Sequence, residues 1–227
     1  MGPTGSGKTT FVNTASESEL EIGHNLTSCT EYVQMSQVIT FKGRKVTLVD
    51  TPGFDDTNKS DTDILRNIAL WLATTYEAGL KLSGVIYMHR IMDVRVNGVT
   101  RRNFKLFRDL CGETALVNVV IVTTRWDVVT PEEGERRERE LATGDQFFKP
   151  ALDKGARMVR YEGTRASAHA VLDLLLNARP QPLKIQKELV DEQKSLDETA
   201  AAASLGKELA EQNARLRVEI AALREEM

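Results

Sequence analysis

The sequence predicts an α/β fold in which a mostly parallel β-sheet lies between two layers of helices. Apolar runs of strand length alternate with segments of helical periodicity between residues 31 and 178, as they do in parallel sheets. A glycine-rich loop of the phosphate-binding type opens the chain, and after residue 182 the composition shifts to Glu, Gln, Lys, Arg, Ala and Leu. We therefore expect a nucleotide-binding domain over residues 1–178 and a helical arm over residues 183–227.

The N-terminal loop matches the pattern Gly-x-x-x-x-Gly-Lys-[Ser/Thr] at every fixed position. Its glycines let the backbone turn N–H groups towards a polyphosphate, and Lys8 supplies positive charge to the β- and γ-phosphates. The Thr9 hydroxyl is a hard oxygen ligand suited to Mg²⁺. A helix that starts here directs the positive end of its dipole at the anion. The predicted nucleotide-contacting residues of the loop are Gly2, Pro3, Thr4, Gly5, Ser6, Gly7, Lys8, Thr9 and Thr10.

Only Met1 precedes this loop, whereas a phosphate loop normally follows a strand at the centre of the sheet. Loss of that strand would leave a gap in the core. Two explanations are open: the sequence starts downstream of its first strand, or another segment fills that position. We favour the first explanation and expect a sheet in which the first strand is missing.

A nucleotide-sensing hydroxyl is expected after the first helix, where it can reach Mg²⁺ and sense the γ-phosphate. Thr30 is the first choice for this metal ligand and Thr27 is the second. Residues 31–41 then show alternating apolar side chains, and residues 45–49 form a second apolar run after a Lys-Gly-Arg turn. This pattern predicts an antiparallel hairpin of two strands.

The second strand of that hairpin ends in Asp50-Thr51-Pro52-Gly53. An aspartate at a strand's C-terminal end can hold Mg²⁺ through water, and Gly53 leaves its N–H able to approach a γ-phosphate. Phe54 follows, where many nucleotide hydrolases place a glutamine that orients the attacking water. An aromatic ring cannot do this, so we expect slow hydrolysis or a catalytic group from elsewhere. The candidates are Thr30, Asp55, Asp56, His24, His89 and a partner chain.

Further helices and strands follow in alternation. Ser60 with two early aspartates has the composition of a helix N-terminus, and apolar residues recur at helical spacing until about Gly79. Strands are predicted over residues 84–89, 118–122 and 156–161, and helices over residues 100–110, 131–141 and 166–178. Four arginines make the predicted ligand edge of the sheet basic: Arg90, Arg95, Arg101 and Arg102. They are either solvated side chains or include an arginine that faces a phosphate or a partner.

The strand over residues 118–122 runs into Thr123-Thr124-Arg125-Trp126-Asp127. A carboxylate here can accept hydrogen bonds from guanine N1–H and the 2-amino group, and adenine lacks that pair of donors. The usual pattern is [Asn/Thr]-Lys-x-Asp. Here Arg125 fills the lysine position, where its stem and planar head can still lie over the base. We predict a guanine site formed by Thr124, Arg125 and Asp127.

The tail contains a leucine repeat of seven residues, Leu209, Leu216 and Leu223, with Asn213 and Ile220 at the companion position. This predicts a helical arm, and two arrangements are open: coiled-coil pairing, or a single amphipathic helix folded back on the domain. The net charge of −3 gives no electrostatic footprint for nucleic acid. Two cysteines without metal or redox spacing favour a reducing, cytoplasmic location. No apolar run approaches the roughly 18 residues of a membrane span, and nothing in the sequence supports contact with a membrane surface.

Together, the phosphate loop, Asp50-Thr51-Pro52-Gly53 and the segment ending in Asp127 resemble the GTPases of the translation-factor class. Within that class the chain resembles the group of septins, chloroplast outer-envelope receptors and immunity-associated GTPases. It is similar to fungal G domain-containing proteins in its loop, its Ser-Cys-Thr segment and its C-terminal helix. The resemblance covers residues 1–178. It implies a three-layer P-loop G domain that binds GTP or GDP with Mg²⁺ and self-associates through its switch face or its C-terminal helix.

The expected function is therefore that of a Mg²⁺-dependent GTPase, acting as a nucleotide-controlled switch or assembly protein. Two alternatives stay open. The first is a phosphate-loop kinase or ATPase, which would leave Asp50-Thr51-Pro52-Gly53 without a role. Selectivity between GTP and ATP distinguishes this alternative from a GTPase. The second is a scaffold that binds nucleotide without significant turnover. Hydrolysis rates measured with and without self-association distinguish this alternative from a GTPase.

Overall fold

The computed structural model describes residues 1–21, 32–56, 59–93 and 98–206. The strands are β1 Gln34–Met35, β2 Ile39–Phe41, β3 Arg44–Val46, β4 Val49–Asp50, β5 Val85–Arg90, β6 Val119–Thr124 and β7 Arg157–Arg160. The α-helices are α1 Lys8–Ser16, α2 Asp61–Glu77, α3 Gly98–Cys111, α4 Pro131–Thr143, α5 Lys149–Leu152, α6 Arg165–Leu176 and α7 Lys184–Gln186.

The main sheet contains β5, β6 and β7, all parallel, with β6 at the centre. Every residue of β6 is buried, and a strand covered on both faces has a continuous apolar run instead of an alternation. Val85 pairs with Val119, and Val120 pairs with Arg157. This confirms the predicted α/β fold, and it brings the residues that follow β5 and β6 to one edge, where open α/β sheets bind ligands.

Helices cover both faces of this sheet. On one face, α2 and α3 pack residues such as Leu72 and Phe107 around Tyr87 of β5. On the other face, α1 and α6 pack residues such as Phe11 and Leu172 against the next residue of β5, Met88, and against β6. Successive strand residues therefore enter opposite apolar clusters, as the alternation of side chains in a strand requires. The result is the three-layer arrangement that the sequence predicts.

Residues 1–4 lie between β5 and the loop after β4. The Met1 ammonium donates to Ile86 O at 2.8 Å, and Met88 N–H donates to Met1 O at 2.9 Å. Pro3 forms a parallel bridge with Phe54. These residues therefore take strand-like pairing on both sides, in the position that the central strand of a phosphate-loop domain occupies.

The hairpin consists of two short antiparallel pairs, β2 with β3 and β1 with β4. Between them, Ser36 N–H donates to Leu48 O, and Ser36 Oγ accepts from Leu48 N–H at 2.9 Å. The prediction of one continuous strand up to Phe41 is therefore wrong in its extent. The reason is that a serine hydroxyl takes over a ladder hydrogen bond and interrupts the regular pairing.

Hydroxyl side chains cap the starts of three helices. Ser60 Oγ accepts a hydrogen bond from Asp63 N–H at 3.1 Å at the start of α2, which confirms the predicted N-terminus of that helix. Thr130 and Thr164 cap α4 and α6 in the same way. These caps fix where each helix leaves the edge of the sheet at which the ligand is expected.

Residues 183–206 fold back onto α2 and α3. Leu183, Ile185 and Leu205 are buried in the apolar cluster of those helices, and Gln186 Nε2 donates to Leu72 O at 3.0 Å. The described part of the tail is helical in short pieces: α7, a π-helical turn Lys187–Asp191, a 3₁₀ turn Leu196–Glu198 and a helix over 200–206. The leucine repeat that starts at Leu209 lies outside the described residues. Within the described ranges, no helix is both long and apolar enough to cross a bilayer.

Candidate nucleotide-binding site

The phosphate loop curls over the N-terminus of α1. Gly5 and Gly7 have φ angles of 74° and 87°, in the left-handed region that glycine adopts at little cost. Ser6 between them is buried, and its Oγ donates to Pro3 O at 2.8 Å. This conformation and the start of α1 at Lys8 give the arrangement of backbone N–H groups that binds phosphates in other proteins.

Lys8 is a buried cation with little compensation. Its side chain donates from Nζ to Pro3 O at 2.8 Å, and the residue is only 8% exposed. Burial lowers the pKa of its ammonium to about 8, against the opposing influence of Asp50 and Asp56. Because the burial of a charge is costly without strong partners, a polyphosphate next to Nζ would stabilise the charged form.

Thr9 and Asp50 come together as the proposed metal ligands require. Thr9 Oγ1 donates to Asp50 Oδ2 at 2.6 Å, and Asp50 is 1% exposed. Thr4 Oγ1 and Thr51 Oγ1 are also buried, and neither has a hydrogen-bond partner among the described residues. These hard oxygens fit a Mg²⁺–nucleotide complex. Thr30, the third predicted metal ligand, lies outside the described residues.

Gly53 and Phe54 hold the following loop against the phosphate loop. A Cβ on Gly53 would approach both the N and the Cα of Thr4 to 2.7 Å. Thr4 N–H donates to Phe54 O at 2.8 Å, and Phe54 N–H donates to Gly2 O at 3.3 Å. The Phe54 ring is fully buried. The backbone of Phe54 therefore joins the two loops by hydrogen bonds, and its buried ring packs in the core.

Asp55 is exposed next to this junction and has a φ of 61°. Its N–H donates to Asp61 Oδ1 at 2.9 Å, and Asp61 pairs with Arg102 at 2.6 Å. Asp55 is therefore linked to α3 through Asp61 at the start of α2. Asp55 stays a catalytic candidate because its carboxylate lies in the loop that follows Gly53.

His89 lies in the core. It is 1% exposed, and its ring meets that of Phe148 edge-on at 5.3 Å. Burial lowers its pKa to about 4, so the imidazole is neutral at physiological pH. This placement favours a structural role for His89. His24 lies outside the described residues.

The predicted base site is a tight turn after β6. Arg125 has a φ of 62°, and Trp126 Nε1 donates to both Thr123 O and Thr123 Oγ1 at 3.2 and 3.1 Å. Arg160 covers the Trp126 ring at 4.2 Å. With Trp126 held inward, the Asp127 side chain is 72% exposed, and its carboxylate lies 3.8 Å from Arg125 Nε. An exposed carboxylate at this edge can receive a base.

Two contacts join this turn and β5 to the phosphate loop. Thr124 Oγ1 donates to Ser6 O at 3.0 Å. A Cβ on Gly5 would lie 3.2 Å from Arg90 Nη1, so Arg90 lies over the loop while it pairs with Asp93 at 3.0 Å. Of the other arginines of the basic edge, Arg101 bonds Gln146 at 2.7 Å, and Arg95 lies outside the described residues.

Comparison with known proteins decides the family, because residues 1–169 match the sequence profile of the AIG1 family. The chain belongs to the AIG1 family. Among curated proteins, none matches the chain in sequence.

Solved structures share the AIG1 chain's fold. Toc33 from Arabidopsis thaliana in complex with Mg²⁺ and GMPPNP has a TM-score of 0.61 and 17% identity, over 79% of this chain and 84% of that one. Toc33 with GDP and Mg²⁺ has the same TM-score and coverage at 15% identity. The elongation factor SelB from Methanococcus maripaludis has a TM-score of 0.52 and 17% identity, over 79% of this chain and 33% of that one. The fold is that of a P-loop GTPase.

Two features of the candidate site do not follow from the sequence patterns. Thr51 lies in the Asp50–Gly53 motif, but its buried, unpartnered hydroxyl is visible only in three dimensions. The sequence shows Arg90 only as one of several arginines at a basic edge, whereas its position over Gly5 distinguishes it from Arg102, which is bound to Asp61. The sequence signal for this role of Arg90 is its position at the C-terminal end of a buried strand.

Replacing Gly53 with alanine is expected to weaken nucleotide binding at least tenfold and to lower the melting temperature of this AIG1 chain. The added Cβ would overlap the backbone of Thr4, so the phosphate loop must shift, and overpacking of this kind costs about 1–3 kcal/mol. Gly206→Ala is the matched control, since its Cβ would meet no atom of the described residues within 4 Å. Nucleotide titrations and thermal melts of both variants check this. Wild-type affinity in Gly53→Ala would mean that this contact has no part in the site.

Proposed function

We propose that this AIG1-family chain binds GTP and GDP with Mg²⁺ and hydrolyses GTP slowly, as a nucleotide-controlled switch or assembly protein. The observation that carries the proposal is the meeting of three features at one sheet edge. Lys8 is a buried, poorly compensated cation, Thr9 and Asp50 lie in hydrogen-bond contact, and Thr124 joins the Asp127 turn to the phosphate loop. The Toc33 complexes with GMPPNP and with GDP, both with Mg²⁺, support the same ligands here.

The roles follow from the chemistry of phosphoryl transfer, in which water attacks the γ-phosphorus and GDP leaves. Lys8 and the loop N–H groups neutralise charge on the β- and γ-phosphates, and Thr9 and Asp50 hold Mg²⁺, directly and through water. A Mg²⁺ ion held by these residues would withdraw charge from the phosphate oxygens. Asp127 selects guanine, and Arg125 lines the base site. The loop that contains Gly53 lies against the phosphate loop, so its conformation can respond to a γ-phosphate. The alternative of a phosphate-loop kinase or ATPase gives this contact no role.

Hydrolysis needs a group that orients water, and Phe54 cannot supply it because its ring is in the core. We propose that self-association through the switch face or the C-terminal segment supplies the missing group. Dimerization is important for the GTPase activity of the chloroplast translocon components atToc33 and psToc159, one of the solved structures similar to this chain. A cytoplasmic location is part of the proposal, supported by the free, buried thiol of Cys111.

The GTP hydrolysis rate per molecule should be slow at low protein concentration and rise as the concentration increases. The comparison is between the full chain and a version that ends at Gly206. A version that ends at Ala178 is a poor control, because it removes Leu183 and Ile185 from the core. Fast hydrolysis at every concentration would show a complete site in the monomer. A rate that never rises, despite tight GTP binding, would favour a nucleotide-binding scaffold.

A further inference from the structure

The side chain of Trp126 is directed into the domain, although it lies in the turn that carries the predicted base-selecting residue. It is half-buried and packs against the apolar cluster of α2 and α3. The next residue, Asp127, has a side chain that is 72% exposed. Consecutive residues of this turn therefore have opposite surroundings, and the position of the inner side chain constrains the direction of the outer one.

The first constraint on the indole is a pair of hydrogen bonds to the end of β6. Trp126 Nε1 donates to Thr123 O at 3.2 Å and to Thr123 Oγ1 at 3.1 Å, which closes a loop around Arg125. Arg125 has a φ of 62°, an unfavourable conformation for a residue with a Cβ. Thr123 is itself fixed to the next strand segment, since its carbonyl accepts from Tyr161 N–H at 2.9 Å. The indole therefore holds a strained turn in register with the sheet.

The second constraint is the guanidinium of Arg160 at the end of β7. Its Cζ lies 4.2 Å from the centroid of the Trp126 ring, and a planar guanidinium is attracted to an aromatic face. Arg160 Nε is hydrogen-bonded to both carboxylate oxygens of Glu138 at 3.0 Å. Because Glu138 belongs to α4, the guanidinium over the ring is held from two elements of the domain.

The third constraint is the backbone of α4, which contacts the indole at Gly134. A Cβ at this position would approach Trp126 Cζ3 to 2.5 Å and Cε3 to 3.0 Å. Gly134 lies within the helix and has no left-handed backbone, so alanine would be the better helix former there. The space that the indole occupies gives a reason for glycine at this position.

We propose that Trp126 is a positioning residue for guanine recognition, which sets the direction of the Asp127 carboxylate. The proposal rests on the function proposed above, because it requires that this carboxylate accepts from guanine N1–H and from the 2-amino group. Two hydrogen bonds to one edge of a planar base need a carboxylate in one defined orientation. Loosening of the indole should therefore reduce the discrimination between bases before it reduces the binding of phosphates.

Two ligands separate these effects. Inosine triphosphate (ITP) has the N1–H of GTP but lacks the 2-amino group, so the ratio of the two dissociation constants measures recognition of that group. Inorganic triphosphate with Mg²⁺ reports on the phosphate loop alone. The contacts within that loop, such as the bond from Lys8 Nζ to Pro3 O at 2.8 Å, do not involve the indole, so its affinity should be unchanged.

The test measures GTP, ITP and inorganic triphosphate on the full chain, by competition against one labelled nucleotide. Trp126→Phe retains an aromatic ring for Arg160 and removes the Nε1 donor. The ratio of the ITP to the GTP dissociation constant should fall by about threefold to tenfold, the effect of one hydrogen bond. Trp71→Phe, a half-buried tryptophan on α2, is the matched control and should keep the ratio of the parent protein.

Gly134→Ala tests the same point without changing a residue of the turn. Its Cβ displaces the indole, whereas alanine in itself favours the helix, so the ratio should fall here too; Gly206→Ala should not change it. This variant decides the question if Trp126→Phe does not fold. Unchanged ratios, or equal losses for all three ligands, would overturn the proposal. A parent protein that binds ITP as tightly as GTP would instead overturn recognition of the 2-amino group by Asp127, and with it both proposals.

Discussion

Lys8→Met should weaken GTP binding by about 30-fold to several thousand-fold and, at the same time, make the nucleotide-free protein more stable. The loss of affinity follows from the removal of one member of a buried charge pair with the polyphosphate, which costs about 2–5 kcal/mol. Methionine retains the unbranched apolar stem, so the packing around this 8% exposed side chain changes little. Binding of labelled GTP and thermal melts of the same samples measure both effects.

The gain in stability follows from the depressed pKa of Lys8, about 8 instead of 10.5. A lysine pKa that is lower in the folded state means that folding disfavours the charged form. Below pH 8 both states are protonated and the full cost, about 3 kcal/mol, is present; it declines as the pH rises from 8 to 10.5. Subtracting about 1 kcal/mol for the lost bond to Pro3 O leaves about 2 kcal/mol, or about 4–8 °C at pH 7.

Lys154→Met is the matched control, because Lys154 is a surface lysine whose ion pair with Glu113 is exposed. It should change neither affinity nor stability by more than about 0.5 kcal/mol. Unchanged GTP affinity in folded Lys8→Met would remove Lys8 from the site. A loss of both affinity and stability would show that the ammonium stabilises the fold, contrary to its depressed pKa.

Local sequence patterns predict much of this fold because they are set by short-range physics. The apolar run over Val119–Val122 and the N-cap at Ser60 each depend on neighbouring residues, and both are found where they are expected. The meeting of Thr9 with Asp50 follows from strand direction, since parallel strands and the phosphate loop end at one sheet edge. The roles of these two residues in metal binding stay predictions.

The remaining features depend on contacts between residues that are distant in the chain. Ser36 divides a strand because its hydroxyl meets Leu48, and an alternating pattern does not record such a contact. Leu183 and Ile185 enter the core between α2 and α3, although their segment differs in composition from the rest of the domain. Arg90 lies over Gly5 while Arg102 pairs with Asp61, a distinction that charge counting along the sequence cannot make.

Asp127→Asn should shift the preference of the protein from guanine to xanthine nucleotides. The carboxylate accepts from N1–H and from the 2-amino group, and an amide presents a donor where that amino group needs an acceptor. Loss of this pair costs about 2–5 kcal/mol, so GTP affinity should fall by about 30-fold or more. Xanthine has a 2-oxo group, which can accept from the asparagine N–H, so XTP affinity should rise.

The exposure of Asp127 makes this a test of recognition separate from folding. Its side chain is 72% exposed, and its nearest described cation is Arg125 at 3.8 Å, so the substitution should change stability by less than about 0.5 kcal/mol. Asp153→Asn, at an exposed carboxylate 4.0 Å from Lys149, is the matched control and should leave nucleotide preference unchanged. Competition of GTP, XTP and ATP against one labelled nucleotide gives the three affinities. Equal affinity of the parent protein for GTP and ATP would show that Asp127 does not select the base, and the kinase or ATPase reading would then account better for the phosphate loop.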